Sequence, residues 1–182
     1  MRLVMAVCFL GVLLCGSAFA QMVAGGSSGA VVSLYSDTAG SAGNGADLTE
    51  DQLKTYTIPP NTLVNVGDMI HITAGGALGG TTDNKTVRIR MNSLAGSVVG
   101  LTTGTAVSVQ RWVMDVWIVK MDTGTAHTSI SGSTNGATGS APPLTDSTPN
   151  PVLISGQNAT NSVAGSVTCT FFAVSYIKAP GT

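Results

Sequence analysis

The segment that decides the fold reads Arg111-Trp112-Val113-Met114-Asp115-Val116-Trp117-Ile118-Val119-Lys120-Met121. Its residues are mainly β-branched or aromatic, which favours a β-strand over a helix. Successive side chains of a strand point to opposite faces. One face therefore carries Trp112, Met114, Val116 and Ile118, and the other carries Val113, Asp115, Trp117 and Val119. A strand that is apolar on both faces is either central in the fold or covered by another subunit.

The same alternation recurs along the chain and predicts further short strands. We expect them within residues 30–35, 56–58, 70–74, 87–91, 126–130, 152–155 and 166–178. Turn signals rich in Gly, Pro, Asn and Asp separate these stretches. The pattern predicts an all-β fold, a single-domain β-sandwich of the jelly-roll type with eight or nine short antiparallel strands.

The alternation also assigns individual side chains to faces. In the strand that contains Val87, Ile89 and Met91, we expect these three residues to face the core and Lys85, Arg88 and Arg90 to face water. In the last strand, the predicted faces are Val167, Cys169, Phe171 and Ala173 on one side, and Phe172, Val174 and Tyr176 on the other. Residues 74–80 are predicted as a Gly-rich corner and residues 132–151 as a long loop with four prolines.

Composition narrows the range of partners. Charged residues make up 9% of the chain and the net charge is -1, whereas about 25% of residues are charged in an average soluble domain. A nearly neutral surface with scattered cations gives no electrostatic reason to bind nucleic acid or an anionic membrane.

The N-terminus has the three parts of a secretory signal peptide. Arg2 precedes an apolar run, which ends in Ala18-Phe19-Ala20 before Gln21. We predict cleavage after Ala20; the alternatives are an uncleaved membrane anchor, a lipoprotein modified at Cys15, and a true start at Met22. The predicted organisation is a signal at 1–20, a flexible Gly/Ser/Ala-rich lead with one short strand at 21–50, and the sandwich domain at 51–178.

The inventory of reactive groups predicts no enzyme, no cofactor and no metal site. The two histidines, His71 and His127, lack the spacing of a metal motif and are expected to face solvent. Asp115 is the acid that lies inside an apolar strand, and we interpret it as an outward or hydrogen-bonded side chain. Cys169 lies in an apolar strand pattern and is expected to be a buried, inert thiol.

Three motifs in the N-terminal half resemble a family of tailed-phage virion domains. They are Tyr56-Thr57-Ile58-Pro59-Pro60-Asn61-Thr62-Leu63, then Gly67-Asp68-Met69-Ile70-His71-Ile72, then Asn84-Lys85-Thr86-Val87. A later Trp-led strand, Trp112 to Val116, and the closing strand, Phe172 to Tyr176, are also similar to the family pattern. The resemblance covers residues 50–178. It implies a β-sandwich of a tail fibre, tail-associated protein or head decoration, often oligomeric and without catalytic residues.

The function predicted from these observations is structural or adhesive. We expect a virion protein or an exported one that works by assembly and surface presentation, as a homo-oligomer such as a trimer, with other virion or cell-surface proteins as partners. Membrane contact is expected only through an uncleaved N-terminus. The alternative is a secreted carbohydrate-binding or adhesin-like module with a glycan ligand, for which Tyr35, Trp117 and Tyr176 are the candidate exposed aromatics.

Two sets of residues are candidates for contact with these partners. The candidate interface is Val113, Trp117 and Val119, which need cover unless the 132–151 loop folds over them. The candidate recognition loop is represented by Asn135, Thr145, Asp146 and Asn150, because long loops at the ends of sandwiches commonly carry binding.

Overall fold

The computed structural model describes residues 29–106, 109–123, 127–131 and 144–181. In this part of the chain there are nine strands and no helix, and accordingly no helix that is long and apolar enough to cross a membrane. The strands are β1 Val31–Asp37, β2 Asp51–Ile58, β3 Met69–Leu78, β4 Thr81–Met91, β5 Val98–Ala106, β6 Gln110–Lys120, β7 His127–Ser131, β8 Asn150–Asn158 and β9 Val167–Ile177.

The strands form two antiparallel sheets. A five-stranded sheet has the order β1-β9-β3-β6-β7, and a four-stranded sheet has the order β2-β8-β4-β5. The pairs β4·β5, β3·β6, β2·β8 and β1·β9 are nested one outside another, as in a jelly roll. This architecture confirms the predicted all-β sandwich.

The core lies between the two sheets and is filled by the inward side chains of alternate positions. The five-stranded sheet contributes Ile70, Ile72, Met114, Val116, Ile118, Phe172 and Val174, and the four-stranded sheet contributes Val87, Ile89, Met91, Val152 and Ile154. All twelve are fully buried. Trp112, Met114, Val116 and Ile118 share the buried face of β6, as the alternation predicts.

One prediction about local structure is wrong, and one strand was not predicted. Residues 74–78 are not a corner, because β3 continues through Gly75 and Gly76 to Leu78. A Cβ atom on Gly76 would lie 1.9 Å from the carbonyl oxygen of Thr168, so glycine permits the close approach of β9 here. The strand β5, which is rich in Thr and Gly, has no clear alternation of apolar and polar residues and was not predicted.

Lys85 is also misplaced by the sequence analysis. Its side chain is fully buried on the core side of β4, whereas Arg88 and Arg90 lie on the other side as expected. The Lys85 ammonium group donates to Asp83 Oδ1 at 3.0 Å, and to the carbonyl oxygens of Thr81 at 2.8 Å and Asp83 at 3.1 Å. Nearby acceptors and an opposite charge therefore replace the water that a buried ammonium loses.

In β9, the alternation of inward and outward side chains is interrupted in the middle of the strand. Gly75 is opposite Phe171 and Gly76 is opposite Cys169, so Thr170 is an extra residue in β9. This β-bulge turns both Cys169 and Phe172 into the core. Simple alternation, in contrast, predicts that they lie on opposite faces of the sheet.

The stretch between β1 and β2, predicted as part of a flexible lead, lies against β9 and the four-stranded sheet. The buried side chain of Asn44 accepts from the backbone N–H of Val167 at 2.8 Å. Glu50 accepts from Arg90 through both carboxylate oxygens, at 2.6 and 2.7 Å, and from Arg88 at 3.2 Å. These contacts connect residues 38–50 to the domain.

Candidate functional site

The outer face of the five-stranded sheet, which points away from the core, is the candidate site. Antiparallel partners point to the same side of a sheet, so the register places the outer side chains in rows across the strands. Four rows are Val31–Ile177–Met69–Val119, Ser33–Ser175–His71–Trp117, Ser36–Ala173–Thr73–Asp115, and Phe171–Gly75–Val113, and a fifth row at one end is Thr168–Ala77–Arg111. Apolar and small residues dominate these rows, and Asp115 is their one carboxylate.

A polar cluster lies in the middle of this face. The imidazole ring of His71 stacks on the indole of Trp117, with ring centroids 4.0 Å apart and an interplanar angle of 12°. The Nε2 atom of His71 lies 3.1 Å from Asp115 Oδ1, and the Thr73 hydroxyl donates to the same carboxylate oxygen at 2.9 Å. The cluster forms because His71 is directly opposite Trp117, and Thr73 is directly opposite Asp115.

The cluster does not have the arrangement of a catalytic triad. In a triad, the nucleophile and the carboxylate contact different ring nitrogens of the histidine, so that a proton can pass through the ring. Here, the Thr73 hydroxyl and Asp115 both contact Nε2, at 3.2 and 3.1 Å. The contacts therefore hold the side chains in place without providing a proton relay.

Phe171 flattens one end of the outer face. It lies opposite Gly75, and a Cβ atom on Gly75 would be 2.3 Å from Phe171 Cε1. The aromatic ring of Phe171 therefore covers the backbone of β3 at Gly75, where a side chain on β3 would collide with the ring. Next to it in the same row, Val113 is 53% exposed.

The spacing of its strands and rows gives the size of the face. Four strands spaced about 4.8 Å apart and four rows about 6.8 Å apart cover roughly 500 Å² in projection. This area is of the same order as the roughly 800 Å² of accessible surface that each partner contributes to a standard interface. The outer face of a solitary sandwich is usually polar and wet.

The predicted interface residues lie together on this face. Val113, Trp117 and Val119 alternate with the buried residues of β6, and Trp117 and Val119 are half-buried. Their role in an interface stays a prediction. His71, Thr73 and Asp115 were not predicted to form a cluster, because the register that brings β3 beside β6 cannot be read from either strand alone.

The candidate recognition loop is tied to the protein by its own polar groups. Asn150 is buried and donates to the carbonyl oxygens of Thr145 at 3.0 Å and Thr148 at 2.8 Å. Asp146 forms an ion pair with Lys120, and its carbonyl oxygen accepts from the backbone N–H of Asn61 at 2.6 Å. Asn135 lies outside the described residues.

Leu144 anchors the same loop. Its side chain is buried in the core cluster and lines a shallow depression with Ile58 and Leu63. Residues 144–150 therefore pack at one end of the sandwich, against the turn that follows β2. Within the described part of the loop, the contacts are to that end and not to the outer face.

Two of the three candidate aromatics are engaged in contacts within the domain. Tyr35 stacks on Tyr56 at 4.8 Å and contacts the edge of Phe172 at 5.3 Å. Burial raises the pKa of Tyr176 to about 12, and its hydrogen bond to Asp68 acts in the same direction. Trp117 is the member of the trio that lies on the outer face.

The described residues include no group of three or more His, Cys, Asp or Glu side chains that could hold a metal ion. Cys169 is a free, buried thiol. Burial raises its pKa to about 11, which keeps it protonated at neutral pH and weakens it as a nucleophile.

Comparison with known proteins gives little. No family model matches the chain, and no curated protein matches it. Among solved structures, it is similar to the CBM2 module of the evolved Dit protein of Lactobacillus casei BL23 phage J-1, with a TM-score of 0.38 and 10% identity over 70% of each chain.

Proposed function

We propose that this chain is a non-catalytic structural or adhesive protein of a phage particle, which works as a homo-oligomer that presents surface. The observation that carries the proposal is the outer face of the five-stranded sheet, where Val113 is exposed and Trp117 and Val119 are half-buried. A face with this composition gains free energy when a second protein surface removes it from water. The resemblance of residues 50–178 to tailed-phage virion domains supports the same class.

A second copy of the chain is the partner that we propose for this face. The described ionisable groups of the face are few, namely His71, Asp115 and Arg111, so identical surfaces approach without strong repulsion. Its area of about 500 Å² in projection is within a factor of two of the accessible surface that each partner contributes to a standard interface. The polar cluster around Asp115 supplies hydrogen-bonding groups at the centre, as in other interfaces that combine an apolar area with a few polar groups.

Light scattering coupled to size-exclusion chromatography tests this assignment. The wild type is expected to elute as an oligomer, and Trp117→Arg is expected to be a monomer with an unchanged far-UV spectrum, because a charge is introduced into the contact. Thr57→Arg is the matched control, since Thr57 is exposed on the four-stranded sheet. A wild type that is monomeric at high concentration would falsify the assembly proposal.

The particle location needs its own test. Mass spectrometry of purified phage particles from the producing strain is expected to detect the chain in fixed proportion to the tail or head proteins. Finding the chain in the culture medium and absent from particles would instead support a secreted protein.

A secreted carbohydrate-binding or adhesin-like module is the second candidate. It is favoured by Trp117, which lies beside the polar groups of Asp115 and Thr73, since aromatic rings with adjacent hydrogen-bonding groups suit sugars. One side of the indole is already covered by His71, which weakens this candidate. Glycan-array binding by the isolated domain that is lost in Trp117→Ala would favour it over the structural role.

A further inference from the structure

We infer that assembly through the outer face takes up protons at the His71–Asp115 pair, so that copies of this chain associate more tightly as the pH falls from 8 to 6. This inference rests on the proposed function, because it requires that the outer face becomes an interface. It adds the condition under which the interface is stable.

The argument begins with the exposure of the two groups. The side chains of His71 and Asp115 are 27% and 44% exposed, and the ring nitrogen and carboxylate oxygen are 3.1 Å apart. Water therefore still solvates the carboxylate in a single copy. A partner that covers the face removes this water, and a buried carboxylate is stable only when a positive charge or hydrogen bonds compensate it.

Protonation of His71 provides this compensation. Histidine is the side chain that changes charge between pH 5 and 8, and its protonated ring would make the pair neutral overall. With a neutral ring, each copy brings a carboxylate with no neighbouring cation into the centre of the contact. Covering the face therefore favours the protonated ring, and by linkage, protonation favours the covered face.

No other described ionisable group on the neighbouring strands can take this role. On the β6 side, the residues that face His71 are Trp117 and Asp115. On the β9 side, its neighbours are Ser175 and Ala173, which do not titrate. Arg111 lies on the same face but two rows from Asp115, opposite Ala77, and Lys178 follows the end of β9. The charge at the centre of the face is therefore set by His71 and Asp115.

Sedimentation velocity at constant ionic strength, from pH 8 to 6, measures the effect. The dissociation constant is expected to fall by up to about tenfold per pH unit for each proton taken up. His71→Gln should make association independent of pH in this range. Asp115→Asn should tighten association at pH 8, because it deletes the uncompensated charge, and association should no longer tighten as the pH falls, because a protonated His71 would then be the unpaired charge in the contact.

His127→Gln is the matched control, since it removes the other histidine of the chain, and it should keep the wild-type pH profile. Far-UV spectra and urea midpoints of each variant show that it is folded. An oligomer whose affinity is independent of pH, or whose pH profile survives His71→Gln, overturns this inference and leaves the proposed function in place. A protein that is monomeric at every pH overturns both.

Discussion

The carboxylate of Asp68 accepts a hydrogen bond of 2.9 Å from the backbone N–H of Ala179, which lies 111 residues further along the chain. Its second oxygen accepts from the N–H groups of Val64 and Asn65, at 3.0 and 2.8 Å. One buried side chain thus joins the turn before β3 to the end of the domain after β9. This turn also orients the start of β3, the strand that carries His71.

Asp68 should make the protein sensitive to acid. Burial disfavours its charged form, but the hydrogen bonds from Ala179, Asn65 and Val64 and from the Tyr176 hydroxyl outweigh burial, so its pKa lies below the usual value. A lowered pKa stabilises the fold above the unfolded-state value of about 3.9, and this contribution is lost as the pH falls through the lower folded-state value.

We therefore expect Asp68→Asn to lower the free energy of unfolding at pH 7 by about 1.5–3 kcal/mol, because hydrogen bonds to a charged acceptor are lost. Urea denaturation at a series of pH values measures the difference between wild type and variant. The difference should decrease as the pH falls below the unfolded-state pKa of about 3.9 towards the lower folded-state pKa. A difference that does not decrease as the pH is lowered through this range would show that charge has no part in it.

Removal of one partner from the buried ion pair of Lys85 and Asp83 should markedly lower the free energy of unfolding. Lys85→Met leaves the Asp83 carboxylate in the interior with the backbone N–H groups of Thr160 and Asn161, at 3.4 and 3.2 Å. Removal of one partner from such a pair costs about 3–5 kcal/mol. Urea denaturation should show this loss.

Two further variants distinguish charge from packing at this pair. The double variant Lys85→Met/Asp83→Asn should recover part of the stability, because the unpaired charge is gone. Arg88→Met on the outer side of β4 should cost less than Lys85→Met, because its partner Glu50 keeps Arg90. Equal losses for Lys85→Met and Arg88→Met would contradict the role given to burial.

Because Phe171 lies against Gly75, a residue larger than glycine at position 75 should destabilise the fold. Gly75→Ala places a methyl group 2.3 Å from Phe171 Cε1 and 2.9 Å from the carbonyl oxygen of Trp112. We expect a loss of about 1–3 kcal/mol, as for other overpacked sites, measured by thermal or urea unfolding.

Gly40→Ala is the control for this substitution, since nothing lies within 4 Å of a Cβ atom at that position. It should change stability little. Phe171→Ala combined with Gly75→Ala should recover part of the loss, because the aromatic ring is one of the two obstacles. If Gly75→Ala is as stable as Gly40→Ala, Phe171 and the Trp112 carbonyl move aside freely and the packing argument fails.

The N-terminal signal stays a prediction, with cleavage after Ala20. Intact-mass measurement of the natural product should give a chain that begins at Gln21. The physical reason is the small residues at Ala18 and Ala20, which fit the cleavage site of a signal peptidase. A product that retains Met1, or one that begins with a lipid-modified Cys15, would exclude cleavage there.

Alternation alone was sufficient for much of the fold. The two faces of β6 and the outward direction of Arg88 and Arg90 follow from a period of two residues, since a strand has no other geometry available. The burial of Cys169 was predicted from the apolar character of its strand, since alternation alone groups it with Phe171 and Ala173, which lie on the outer face. Alternation failed for β5, because Thr and Gly carry little difference in polarity from one position to the next.

Deviations from regular pairing needed the structure. The bulge at Thr170 changes the phase of β9, and it depends on the close approach of β9 to the glycines of β3. In the same way, alternation places Lys85 on the same face as the buried Val87, whereas the charge of lysine predicts exposure to water. Lys85 is buried because Thr81 and Asp83 place acceptors around its ammonium group, which is a property of the folded strand.

By itself, the sequence determined an all-β sandwich, the apolar second face of β6, and the scarcity of charged residues. Tertiary structure decided which residues meet across that face. His71 and Asp115 are 44 residues apart in the chain, and neither shows in isolation that it has a partner. Their contact exists because β3 and β6 pair in one register, and register is fixed by the packing of the whole core rather than by either strand.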